Sequence, residues 1–283
     1  MGALHDELAG EHGRPVVVMA HGVGGTVDTG LRQFAESLCV TGVDVLAFDY
    51  RGFGTSGGTP RQSVSMHGQV VDFHAAVDAA RGLSGVDPDR VVLWGVSLAG
   101  GHVLAVAAAR RDVAAVIALT PLVDGWAAAV LALRHCSPMS VARCTAAGVR
   151  SRASVARGGE PVTIPIVALP GDDGAINLSG AFDRYTALAG PTWQNRVDAA
   201  IGFELLRYRP TRTAAGIGCP VLVQIGDADR SAPPNAAMKA ARKAGATVQR
   251  CGADHFDVWP GGRFFDDVVA GQQKFLRGVF GAR

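Results

Sequence analysis

The sequence predicts a doubly wound α/β fold, with a mostly parallel sheet, helices on both faces and a helical cap inserted after the fourth strand. Three observations carry this. Six short runs rich in Val, Ile and Leu recur along the 283 residues, stretches with helical spacing alternate with them, and one interval is far too long for a loop.

The first run, PVVVMAHG (15–22), is apolar at consecutive positions, so both of its faces need cover, as in a parallel sheet between helix layers. TGLRQFAESLCV (29–40) has helical spacing and leads into the second run, VDVLAFDY (43–50). MHGQVVDFHAAVDAA (66–80) separates that strand from RVVLWGVS (90–97), and SLAGGHVLAVAAAR (97–110) separates the third from VAAVIALTP (113–121). After the long interval come PVLVQIGD (220–227), the helical PPNAAMKAARKAG (233–245), ATVQRCGA (246–253) and a closing helix, FFDDVVAGQQKFLRGVF (264–280).

About ninety residues lie between the fourth and fifth strands, where an αβ or βα loop ordinarily takes about 2–6. The chain therefore reads as a core in two parts, 1–122 and 214–283, around an inserted cap, 123–213. Within the cap, 125–136 and 191–208 have helical periodicity, and PVTIPIVALPG (161–171) reads as extended. Apolar residues such as Trp126, Val130, Leu131 and Trp193 are expected mainly to pack onto the core, and some of them to line an apolar acyl pocket over Ser97. Arg134, Arg143, Arg150, Arg152 and Arg157 read as its solvated face.

Composition excludes several classes of partner. A net charge of +2, without a basic stripe, argues against nucleic acid. No apolar run approaches the roughly 20 residues a membrane span needs, and the first fifteen residues are polar, unlike a secretory signal. A cytoplasmic location is the expectation. The five cysteines (Cys39, Cys136, Cys144, Cys219, Cys251) are widely spaced with no C-x-x-C pair, so they read as free thiols of a reduced compartment. The histidines His5, His12, His67, His74, His102 and His135 show no ligand-like grouping, and neither a metal nor a cofactor is implied.

Chemistry is carried first by WGVSLAGG, at the junction of the third strand and its helix. A nucleophile elbow needs a strand, a strained turn holding the serine, and a helix opening at once. Gly95, Val96, Ser97 and Leu98 fit G-x-S-x-G, but the fifth position is Ala99. The residues two before and two after the serine must be small to pass each other, and Ala adds only one methyl. Gly100 and Gly101 each cost a helix about 1 kcal/mol relative to Ala, a cost that makes sense if this helix approaches the sheet closely. GDADRSAPP follows the fifth strand and ADHFD the sixth. Serine, then acid, then histidine is the chain order of one serine-hydrolase fold and not of the others.

With HGVGG (21–25), DYRGFGTSGG (49–58), GVSLAGG (95–101), GDADRSAPP (226–234) and HFDVW (255–259) in this order, the chain resembles the α/β-hydrolase superfamily over nearly its whole length. TPLVDGW and RYRP followed by GCPVLVQIGDAD look like bacterial capped esterases and the related acyl transferases of polyketide pathways. The resemblance implies Ser97 as nucleophile, His255 as general base and then acid, and Asp229 as the carboxylate that orients the imidazole. Asp124, after the fourth strand, is the alternative acid, because some members of the family draw theirs from that place. Asp227 reads as structural and Asp257 as a loop hydrogen-bonder. The oxyanion hole is implied at the amides of Val23 and Leu98, each such donor being worth about 3 kcal/mol, with His21 bracing the loop.

Gly52, Gly54 and Gly57 form a literal dinucleotide fingerprint, but Pro60 interrupts any helix there, and the first strand ends in HGVGG instead. Two antiparallel strands usually precede that first strand in this family, and the fifteen residues available here show no apolar alternation. Without this hairpin the 43–50 strand is expected at the sheet edge, covered by a homodimer partner or by the N-terminal segment. The leading function is hydrolysis of a carboxylic ester through an acyl-enzyme on Ser97. The alternatives are an acyl transferase or thioesterase using the same residues, and a catalytically silent binding module.

Overall fold

Consecutive apolar residues become six parallel strands in the computed structural model, which describes residues 1–2 and 7–281. In chain order the elements are β1 (Arg14–Ala20), α1 (Leu31–Cys39), β2 (Asp44–Ala47), α2 (Met66–Arg81), β3 (Val86–Val96), α3 (Leu98–Ala109), β4 (Ala115–Leu119), α4 (Gly125–Ala132), α5 (Pro138–Val155), β5 (Thr163–Ile164), α6 (Ala181–Ala187), β6 (Val197–Asp198), α7 (Ile201–Arg207), β7 (Val221–Gly226), α8 (Pro234–Lys243), β8 (Thr247–Cys251) and α9 (Phe265–Phe280). The main sheet runs β2-β1-β3-β4-β7-β8, every neighbouring pair parallel. Helices α1 and α9 pack together on one face, while α2 packs on α3 and α8 lies over β7 on the other.

Burial follows position in the sheet. β4 and β7 are buried at every residue, and the edge strands β2 and β8 are only partly so. Buried polar groups need partners, and the core supplies a chain of them. Trp94 Nε1 donates to Gln272, whose amide donates to Gln224, which in turn donates to Gln249 (3.0, 2.7 and 2.7 Å).

Among the described residues no strand precedes β1, and β2 lies at the sheet edge as the sequence implies. Met1 reaches the outer side of that edge. Its amino group donates to the Val45 carbonyl at 2.9 Å, and the Val45 amide donates to the Met1 carbonyl at 2.8 Å. Residues 3–6 of the same segment lie outside the described residues.

The insertion after β4 differs in detail from its sequence reading. Its longest helix, α5, starts at the Ser137 cap, whose hydroxyl accepts from the Ser140 amide at 3.1 Å, with Pro138 in the first turn. The stretch 161–171 contributes only β5, paired with β6, and 191–208 is helical only in α7. Before it, Thr192 is held by Asp28, whose carboxylate accepts from the Thr192 amide and hydroxyl at 2.8 and 2.9 Å. The two ends of the insertion meet. Gly125 donates to Tyr208 at 2.9 Å, and Thr211 Oγ1 donates to Val123 at 2.9 Å.

Candidate active site

All the loops named from the sequence emerge at the C-terminal ends of parallel strands, where ligands bind in open α/β sheets. HGVGG follows β1, Ser97 follows β3, Asp229 follows β7 and His255 follows β8.

Ser97 sits between β3 and α3 with φ 57° and ψ −118°, a conformation that L residues avoid at a cost of about 1–3 kcal/mol. Hydrogen bonds hold it there. Its amide donates to the Leu119 carbonyl at 2.9 Å, and its carbonyl accepts from Leu122 at 2.8 Å. A Cβ on Gly95 would lie 2.3 Å from the Ala99 carbonyl oxygen, so glycine is required there by the Ala99 peptide and not by its side chain. The methyl that departs from G-x-S-x-G is therefore not the group that meets Gly95. The glycine pair behind it has the packing reason expected from sequence. A Cβ on Gly100 would meet Pro121 at 2.8 Å, and one on Gly101 the Leu122 carbonyl at 2.2 Å.

Asp229 and His255 form a buried pair, with His255 Nδ1 2.7 Å from Asp229 Oδ2. The other carboxylate oxygen accepts the Ser231 and Ala232 amides, each at 2.7 Å, so the carboxylate is held on both sides. With Nδ1 donating to the carboxylate, Nε2 is left as the acceptor. Burial lowers the proton affinity of His255, but the charge and hydrogen bond of Asp229, with the charge of Asp254, outweigh it and raise the imidazole above its usual value. Arg230 ties the two loops together. Its guanidinium pairs with Asp254, and its amide donates to the same carboxylate at 3.1 Å.

The remaining candidates separate clearly. Asp124 caps α4, accepting from the Ala127 amide at 3.1 Å, and lies 3.9 Å from Arg209, so its carboxylate serves the insertion and not His255. Asp227 pairs with Arg250 at 2.8 Å, while Asp257 accepts from the Asp254 amide at 2.9 Å and pairs with Arg184. The Leu98 amide heads α3, where no intrahelical acceptor exists. Gly22, just before Val23, lies against Ser97, since a Cβ there would be 3.3 Å from Ser97 Oγ. Gly52, Gly54 and Gly57 fold a local loop around Asp49, which accepts from the Val27 and Thr55 amides at 2.7 and 3.0 Å. No helix begins until Met66.

Two histidines near the site are neutral. His21 stacks on Trp259 at 4.8 Å, and His102 lies between Gln69 at 2.9 Å and Tyr208 at 2.7 Å. Burial lowers each imidazole to about 3, with the nearby charge of His255 adding to the effect at His21. His5 lies outside the described residues. The sign for stability follows. The unfolded chain takes up both protons below its pKa of about 6.5 and the folded chain does not, so stability is complete above that pH and declines toward pH 3. Each group adds up to about 1.4 kcal/mol per pH unit. Urea unfolding between pH 7.5 and 4.5 is expected to show this decline, with His102→Gln removing one proton from the slope. An unchanged slope in that variant would mean that His102 titrates in the folded protein.

Sequence reasoning missed the contribution of the insertion. Tyr185, on α6, donates through Oη to the Val23 carbonyl at 2.8 Å, and its ring lies near His21, Trp193 and Phe256. The Ile166 side chain fills the space that a Cβ on Gly24 would need. A hollow of about 210 Å³, lined by residues including Ser179, Arg184, Arg230 and Asp254, lies next in the chain to both members of the Asp229–His255 pair, though its lining includes neither of them nor Ser97.

A parallel sheet with a strained serine after its third strand and a carboxylate–histidine pair after its last two defines an α/β hydrolase, an enzyme of esterase-like type. The crystal structure of the α/β hydrolase GrgF from Penicillium sp. sh18 superposes with a TM-score of 0.79 at 24% identity, covering 97% of this chain and 93% of that one. The chain belongs to the family described as serine aminopeptidase, S33, whose model matches residues 11–252. Among its relatives, the quorum-quenching protein AidA of Acinetobacter baumannii (strain MDR-ZJ06) is 35% identical over 268 residues, 94% of this chain and 86% of AidA. The polyketide transferase grgF of Penicillium sp is 28% identical over 224 residues, 77% of this chain and 72% of its own. Among the described residues no helix is long and apolar enough to cross a membrane.

Proposed function

We propose that the protein cleaves a carboxylic ester of a hydrophobic acyl group through an acyl-enzyme on Ser97. His255 Nε2 takes the serine proton as Oγ attacks the carbonyl, then gives it to the leaving alcohol. Asp229 holds the imidazole in the required tautomer and stabilises its charged form. The Leu98 and Val23 amides receive the developing oxyanion. Water then opens the acyl-enzyme with the same base. The observation that carries this reading is the buried 2.7 Å contact between His255 Nδ1 and Asp229 Oδ2, at the same sheet end as the strained Ser97.

The insertion acts in this reading as a cap, and the substrate is a small molecule. The free cysteines suit a reduced, cytoplasmic compartment. A homodimer through the rest of the β2 edge is the proposal that light scattering reads out, with Met1 already covering Val45.

The test is p-nitrophenyl ester hydrolysis with short and long acyl chains across pH. Because neutral His255 is the base and its pKa is raised, turnover should climb with pH through an apparent pKa above 6.5 and favour longer chains. No turnover and no reaction with a fluorophosphonate would overturn the reading.

Acyl transfer is the second reading, favoured by the polyketide transferase relative and by the contacts of Ile166 and Tyr185 with the loop beside Ser97. Added alcohol or amine would then divert the acyl group from water to a new ester or amide.

A further inference from the structure

The loop Gly22–Val23–Gly24–Gly25 combines tight packing with little restraint of its own. Gly24 has φ 64°, and Gly22 lies against Ser97, so glycine is needed at both positions. Three glycines around Val23 also leave its backbone the freedom to move the amide away from any position where it could meet an oxyanion. Among the described hydrogen bonds the Val23 backbone makes one, its carbonyl accepting Tyr185 Oη at 2.8 Å. That bond spans 162 positions of sequence and is buried, Tyr185 being 3% and Val23 8% exposed. The Tyr185 ring is itself held by Trp193 at 5.3 Å and Phe256 at 5.8 Å, and Phe256 in turn packs on His255 at 5.3 Å.

We propose that Tyr185 is a positioning residue, by which the insertion sets the Val23 amide for the oxyanion. The hydroxyl touches no reacting atom. It fixes the Val23–Gly24 peptide plane, and through it, across the φ and ψ of Val23, the amide of the preceding peptide unit. One further contact from the insertion, Ile166 against Gly24, holds the same loop, and Thr192 holds Asp28 just beyond it. The ring and the loop are both buried and the hydroxyl bonds one to the other, so it transmits the position of α6 to the loop. This inference rests on the oxyanion role given to Val23 in the proposed function.

Tyr185→Phe removes the hydroxyl and keeps the ring. Complete loss of an oxyanion donor costs about 10²- to 10³-fold in kcat, and a displaced donor costs part of that. The expected result is a fall of about 10- to 30-fold in kcat for ester hydrolysis, with KM unchanged. The rate of fluorophosphonate labelling should fall by the same factor. Binding of a trifluoromethyl ketone, which forms an oxyanion on Ser97, should weaken in parallel, whereas binding of the carboxylate product should not. Thermal unfolding of the same sample separates a folding defect from mispositioning. A loss confined to KM, an unchanged kcat, or equal weakening of ketone and product would overturn the proposal. Ser97→Ala keeps the two readings apart: if it retains turnover, the function itself is wrong, whatever Tyr185→Phe does.

Discussion

Ser97→Ala is expected to abolish fluorophosphonate labelling and to lower ester turnover by about 10⁴- to 10⁶-fold, the range seen when an acyl-enzyme nucleophile is removed. Stability should change little. Alanine inherits the same positive φ, and the hydrogen bonds that hold the position, from Leu122 and to Leu119, are made by the backbone. The strain is thus a property of the turn and not of the hydroxyl. A variant that keeps its fold and loses its chemistry would assign the acyl-enzyme to this serine. Labelling that survives in Ser97→Ala would place the nucleophile elsewhere.

Asp229→Asn is expected to lower kcat by about 10⁴-fold while leaving KM near its original value. The asparagine keeps the shape of the side chain but carries one acceptor oxygen, and three donors converge on the carboxylate: the Ser231 and Ala232 amides and His255 Nδ1. If the oxygen stays with the two amides, the amide nitrogen faces the imidazole and favours the wrong tautomer. Asp124→Asn makes the contrast. Asparagine caps a helix as well as aspartate, so α4 should persist and activity should stay within about twofold. Collapse of the Asp124 variant with survival of the Asp229 variant would reverse the assignment.

The sheet was legible because strands covered on both faces are written as unbroken apolar runs, and β1, β4 and β7 are buried almost throughout. Their order also places the candidate residues at one end of the sheet. In a parallel sheet every strand ends at the same edge, so residues that follow β3, β7 and β8 lie at that one edge whatever their distance in sequence. The insertion was harder to read. α5 carries Arg143, Arg150 and Arg152 among small residues, which leaves no clear apolar stripe, although Ser137 and Pro138 mark its start. α6 has seven residues, too few for a period to emerge, and Tyr185 lies within it. Its bond to Val23 is fixed by how the insertion folds back on the core, and nothing local to either residue encodes that.

The joined ends of the insertion carry a consequence of their own. Val123 meets Thr211 and Gly125 meets Tyr208, so the chain leaves the core and re-enters it at one point. In the reading proposed above such a segment can be replaced without moving the two points where it joins the core. In that reading, substrate range can diverge by replacement of that part while Ser97, Asp229 and His255 stay on loops outside it, with one condition attached. Any replacement must supply its own group for the Val23 carbonyl, so a swap can carry over the shape of a pocket and still lose its rate.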